Sequence, residues 1–145
     1  MRYRVLHFVV FAVVTLGSCA ANTTQPTEFT SSGDLIDALT QQNLSVSRAE
    51  VMPRSAYPFF SVSAQRIVVK DEDMQVFEYP NPARANSDAA NVSPTGTPIG
   101  QSQIAWMATP HFYKRDRLIV LYVGHSGDIL KALETALGPP FAAGR

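Results

Sequence analysis

The sequence predicts a small single α+β domain, an antiparallel sheet of about five strands with helices on one face. Three observations carry this. β-rich stretches come in pairs joined by short turns, and apolar stripes at helical spacing follow the pairs. The 145 residues, 46% hydrophobic and 17% charged, leave room for one core. The expected order is helix, strand, strand, strand, helix, strand, strand, helix.

Each element has its own signature. From residue 33 onward Leu35, Ile36 and Leu39 fall on one helical face, with Ser31 or Ser32 placed to cap and Asp34 in the first turn. That helix should stop near Asn43. Residues 44–51 alternate as a strand does, with a slip at Ala49, and a loop with Pro53 and Pro58 follows. Residues 66–79 read as a hairpin whose turn is the acidic run Asp71, Glu72 and Asp73. Asn81 caps a short helix opened by Pro82, with Ala85, Ala89 and Val92 as its stripe.

Two prolines and two glycines make 93–101 a loop. A second hairpin is expected to pair 102–110 with 117–123, turning somewhere within 111–116. The unbroken apolar run 118–123 is that of a central strand. Ser126 caps a last helix carrying Ile129, Leu130, Leu133, Ala136 and Leu137, which Gly138 and Pro139 end. Hairpin followed by helix thus occurs twice, as an internal repeat would give.

The first residues are of another kind. Arg2 and Arg4 precede a twelve-residue stretch, 5–16, broken only by His7 and Thr15. This is the cationic start and apolar segment of an export signal. It is too short to span a bilayer, which takes ~20 apolar residues. Leu16-Gly17-Ser18-Cys19 follows, and Cys19 is the one cysteine in the chain. The motif resembles the lipobox of bacterial lipoprotein precursors. That resemblance implies a signal peptide over 1–18, lipid attachment at Cys19, and anchoring to the cell membrane. In a two-membrane cell the expected address is the outer membrane, because Ala20 follows the cysteine. Acyl chains on the thiol hold firmly, each buried methylene contributing ~0.8 kcal/mol. Residues 19–32, rich in Thr, Ser, Asn and Gln with Pro26 and one isolated aromatic, Phe29, read as a tether, which leaves 33–145 as the domain.

Charge and residue types exclude more chemistry than they offer. Without Arg2 and Arg4 the chain keeps ten basic against twelve acidic side chains, no footprint for nucleic acid. Gly124-His125-Ser126-Gly127-Asp128 lies where a hydrolase nucleophile would sit, between strand and helix. It lacks the second glycine of that turn, and no histidine follows it. His111 and His125 are too few for a zinc site, so neither metal nor cofactor is expected. The acids at 71–73 read as a solvated turn. Glu78 is the more interesting carboxylate, with Arg66 across the hairpin as its expected partner.

What remains is aromatic. Tyr57, Phe59 and Phe60 form one patch, and WMATPHFY, with Trp106, His111 and Tyr113, forms another. Together they are the candidate surface for a protein, peptide or small apolar ligand. The stretches VFEY, WMATPHFY, RLIVLYVG and LGPPF resemble small bacterial proteins with no activity attached, so the likeness transfers no catalytic residue. The expected function is a non-enzymatic, membrane-anchored binding module. The alternatives are an envelope hydrolase, which needs a base in a cleft, and an assembly factor, which needs a broad apolar face.

Overall fold

A computed structural model describes residues 28–144. The expected signal peptide, Cys19 and residues 20–27 of the expected tether lie outside the described residues. Along the chain come α1 (Ser32–Thr40), β1 (Val46–Met52), a 3-10 turn (Arg54–Ala56), β2 (Ala64–Val69), β3 (Glu72–Glu78), α2 (Pro82–Ala89), β4 (Pro110–Arg115), β5 (Leu118–Val123), α3 (Gly127–Leu137) and β6 (Ala142–Ala143). The strands form one antiparallel sheet in the order β1-β2-β3-β5-β4-β6. The α+β class is as the sequence predicts, with a sixth strand of two residues added beside β4. Among the described residues no helix is long and apolar enough to cross a membrane.

Local chemistry explains the element ends. Ser31 and Asp34 form a reciprocal capping box at α1, and Asp34 also takes the Thr30 N–H at 2.8 Å. Asn43 adopts a left-handed backbone after the helix. Asn81 caps α2 through the Arg84 N–H, with Pro82 in the first turn. In the first hairpin Val69 pairs with Glu72, so the turn is Lys70-Asp71, both at positive φ. The expected acidic turn is therefore corrected: Glu72 and Asp73 open β3. The slip expected at Ala49 is the register shift of β1 against β2 between Arg48 and Val51.

Period-two alternation splits the core into two layers. On one face Ile67, Met74, Val76, Val120 and Tyr122 pack under α1 and α3. On the other Phe60, Phe77, Phe112, Ile119 and Leu121 pack under α2 and the loops. β5 lies between β3 and β4 and is buried on both faces, which is why its sequence is continuously apolar.

Here the helices depart from expectation, since α2 occupies the face opposite α1 and α3. This also removes the repeat. Val76 pairs with Val120, so a two-fold axis normal to the sheet relates the two hairpins. Such an axis would keep both following helices on one face, whereas α2 and α3 take opposite faces.

Two further expectations are corrected. Residues 102–109 form a loop, because the edge of β5 that they were expected to fill is taken by β4, turning through Asp116 and Arg117. Phe29 is core, not tether. It is fully buried, its N–H donates to Asp116 at 2.8 Å, and the Arg115 guanidinium lies 4.5 Å over its ring.

Candidate functional site

The two aromatic patches of the sequence converge over the face that carries α2. Its floor is made by Asp73 and Gln75 of β3 and Leu121 and Val123 of β5, with Gln75 directly opposite Leu121. Two loops form the walls.

The first wall follows the 3-10 turn. Tyr57 meets Phe77 edge-on at 5.4 Å between ring centres, and Phe60 meets the same ring at 4.5 Å. Phe59 rests on both Tyr57 and Phe60. Asp88 of α2 secures the end of this loop. Its carboxylate accepts the Ser61 N–H and hydroxyl at 2.7 Å each and the Tyr79 hydroxyl at 2.9 Å. Burial, followed by that bond to Asp88, raises the Tyr79 pKa.

The second wall is loop 102–108. Trp106 lies edge-on to Phe112 at 5.8 Å and donates its indole N–H to the Gly96 carbonyl at 3.0 Å. Only glycine suits position 96. Its φ is +76°, and a Cβ there would come within 2.9 Å of Pro110. The Ile104 N–H is held by the Thr97 hydroxyl at 3.1 Å.

Between the walls lies a cleft of about 630 Å³, a volume suited to a small organic ligand. Tyr57, Phe59, Ile104 and Trp106 supply its apolar surface, and Met107 stands fully exposed at the rim. Burial raises the Tyr57 pKa, the Asp73 charge adds to the rise and Arg66 opposes it.

No family model, curated protein or solved structure matches this chain. The site is therefore read from its own residues.

Of the six candidate surface residues, Tyr57, Phe59 and Trp106 line the cleft together. The other three do not. Phe60 is buried beneath the first wall. His111 and Tyr113 point to the opposite face, because they flank Phe112 in a strand and alternation turns them away from it. His111 stacks on Tyr122, with 6.1 Å between ring centres, and its Nε2–H donates to the Gly124 carbonyl at 3.2 Å. Burial lowers its pKa, the neighbouring His125 adding to the effect. Tyr113 is fully buried, and burial pushes its pKa up to about 12.

Residues 124–128 do not assemble a catalytic relay. His125 meets the Thr109 hydroxyl, the Ser126 N–H donates to the Tyr122 hydroxyl, and Asp128 pairs with Lys70. The two ionisable side chains are committed to separate partners and Ser126 is engaged through its backbone, which makes no proton path. The Ser126 hydroxyl caps nothing, contrary to expectation. Glu78 also differs: it accepts the Ser32 N–H at 2.7 Å, while Arg66 pairs with Glu50 and Asp73. Among the described residues no three His, Cys, Asp or Glu side chains gather as metal ligands.

Ile104, Gln75 and the floor of β5 were missed as site residues. Ile104, Trp106 and Ala108 do alternate in sequence, and all three line the cleft. The same alternation imitates a strand, which hides its role as one wall of a site.

Proposed function

We propose that the protein is an envelope lipoprotein, anchored through Cys19, whose domain binds a small apolar ligand in the cleft between loops 56–59 and 102–108. The single observation that carries the binding reading is the convergence of Tyr57, Phe59 and Trp106 around one volume of about 630 Å³.

The position of the cleft agrees with an anchor. The chain enters the domain at Phe29, beside the β4–β5 turn. The cleft lies over Leu121 and Val123, at the other end of β5, and so away from the point of attachment. The ligand would be taken from the aqueous side.

Trp106 is the one tryptophan in the chain, so its emission reports on the cleft directly. Titration with the neutral apolar dye N-phenyl-1-naphthylamine should quench Trp106 as the dye brightens. The combined substitution Tyr57→Ala and Phe59→Ala should weaken that binding about tenfold or more. Unchanged affinity in this variant would refute the site. The anchor has its own assay. A fatty-acid analogue fed to cells should label the wild type but not Cys19→Ala, and equal labelling of both would refute attachment there.

A further inference from the structure

We propose that a second site, the groove between Arg54 and Arg84, binds a phosphate group, carried by a lipid headgroup or free in solution. The site is separate from the apolar cleft and stands whether or not that cleft takes a ligand.

The groove holds about 360 Å³ and lies where the 3-10 turn after β1 meets the start of α2. Arg54 and Arg84 are its ionised lining residues, with Ser61, Val62 and Pro80 completing the surface. Among the described residues neither arginine has a carboxylate partner. The other described arginines all spend a terminal nitrogen within the fold: Arg48 on Ser32 and Gln65, Arg66 on Glu50 and Asp73, Arg115 on the Ala136 carbonyl and Arg117 on the Thr30 carbonyl. Arg54 differs. Its Nε–H donates to the Phe60 carbonyl at 3.3 Å, which orients the guanidinium and leaves both terminal nitrogens to be satisfied from outside.

The carboxylate best placed to neutralise Arg84 is turned elsewhere. Asp88 follows it by four residues on α2, a spacing that allows an ion pair. Its Oδ2 instead accepts the Ser61 N–H, the Ser61 hydroxyl and the Tyr79 hydroxyl. Even with the Asp88 charge set against the pair, two arginines leave one positive charge in excess. The Ser61 proton is committed to Asp88, so recognition falls to the two guanidiniums. Each presents parallel N–H donors that match two oxygens of a phosphate or a carboxylate. A planar carboxylate is used up by one such fork, whereas a tetrahedral phosphate keeps oxygens for a second.

The groove also sits at the end of the sheet where the chain enters the domain. Pro80 follows Tyr79, whose N–H donates to the Arg117 carbonyl at 2.9 Å, and the Arg117 N–H donates to the Phe29 carbonyl at 3.3 Å. An anchor at Cys19 would bring this end towards a bilayer, where phosphate is dense, with the apolar cleft at the far end of β5.

The test uses the full chain, labelled with nitrogen-15, in micelles of the neutral detergent dodecyl maltoside. The arginine Nε–H signals are followed by nuclear magnetic resonance against three additions: inorganic phosphate, phosphatidylglycerol mixed into the micelle, and sodium chloride at matched ionic strength. The Arg54 and Arg84 signals should move saturably with a phosphate source, while those of Arg48 and Arg66 stay in place. Response to phosphatidylglycerol alone assigns the site to a lipid headgroup, and response to inorganic phosphate assigns it to the phosphate group itself. Arg84→Gln, which breaks no bond within the fold, should weaken the response of Arg54 at least about tenfold. Circular dichroism checks that the variant is folded. No saturable shift with either phosphate source, or an equal shift with chloride, would overturn the site, and so would undiminished affinity in Arg84→Gln. None of these results bears on dye binding at Trp106, so the two sites fail separately.

Discussion

Replacing Tyr122 by phenylalanine should cost far more than removing the Ser126 hydroxyl, although Ser126 holds the capping position of α3. The Tyr122 hydroxyl donates to Glu72 at 2.6 Å and accepts the Ser126 N–H at 3.0 Å, so one atom ties the start of β3 to the start of α3. A hydrogen bond to a charged group contributes ~1.5–3 kcal/mol and a neutral one ~0.5–1.5. Glu72 is only half-buried and regains water when the bond is lost, so the low end applies. Phenylalanine keeps the ring packing, and the expected loss is about 2 kcal/mol in urea unfolding at pH 7. Ser126→Ala should stay within ~0.5 kcal/mol, because its hydroxyl makes no capping bond.

The pH dependence gives a second reading of the same atom. Burial, then the bond to Glu72, raises the Tyr122 pKa. A raised folded value means that the contribution is whole below the unfolded pKa of ~10 and is lost as pH climbs through the folded value. The gap between wild type and Tyr122→Phe should therefore hold steady to about pH 9 and narrow above 10. If Ser126→Ala proves the more damaging change, or if the gap ignores alkaline pH, this account of the helix start is wrong.

Two further outcomes are expected. Phe29→Ala should destabilise the domain by ~3–5 kcal/mol in the same unfolding assay, as for a fully buried aromatic; a change below ~1 kcal/mol would return Phe29 to the tether. At Asp34 burial pushes the carboxyl pKa up, but the bonds from Thr30 and Ser31 outweigh this and hold it below the usual value. A depressed folded pKa gives stability that is present above ~pH 4 and is lost as pH falls through the folded value. Asp34→Asn should accordingly be less stable at neutral pH and show a flatter acid limb, and parallel limbs for the two proteins would contradict that assignment.

What could be read from the sequence divides along physical lines. Caps and hairpins are local, so Ser31 with Asp34, Asn81 with Pro82, and a hairpin within 66–79, though not its exact turn, were legible from neighbouring residues alone. Contacts between distant segments were not. Phe29 looked isolated because its partners, Arg115 and Asp116, lie over eighty residues away. Ser126 looked like a cap because serine suits that position, yet its hydroxyl makes no capping bond, and a tyrosine from the preceding strand accepts its N–H. Alternation misled in both directions. It made a strand of 102–109, where Ile104, Trp106 and Ala108 face a cleft, and it was overlooked within 110–115, where it separates Phe112 from His111 and Tyr113.

The unequal covering of the two faces explains why a cleft exists at all. A sheet buried on both sides needs two layers over it, and here α1 and α3 supply one whole layer by themselves. The other face receives only the eight residues of α2. Its remaining apolar surface, around Leu121 and Val123, must be closed by loops, and loops have no hydrogen-bonded ladder of their own to hold a fixed shape. They are fixed instead by particular side chains: Trp106 on the Gly96 carbonyl, Thr97 on the Ile104 N–H, and Asp88 on Ser61. Each such attachment is a bond or two, so these walls can adjust at low cost while the sheet beneath them cannot. A rigid floor with adjustable aromatic walls suits ligand capture better than catalysis, which requires reacting groups fixed to within about half an ångström. That distinction follows from which face of the sheet lacked a second helix, and it supports the binding module proposed above on grounds of shape alone.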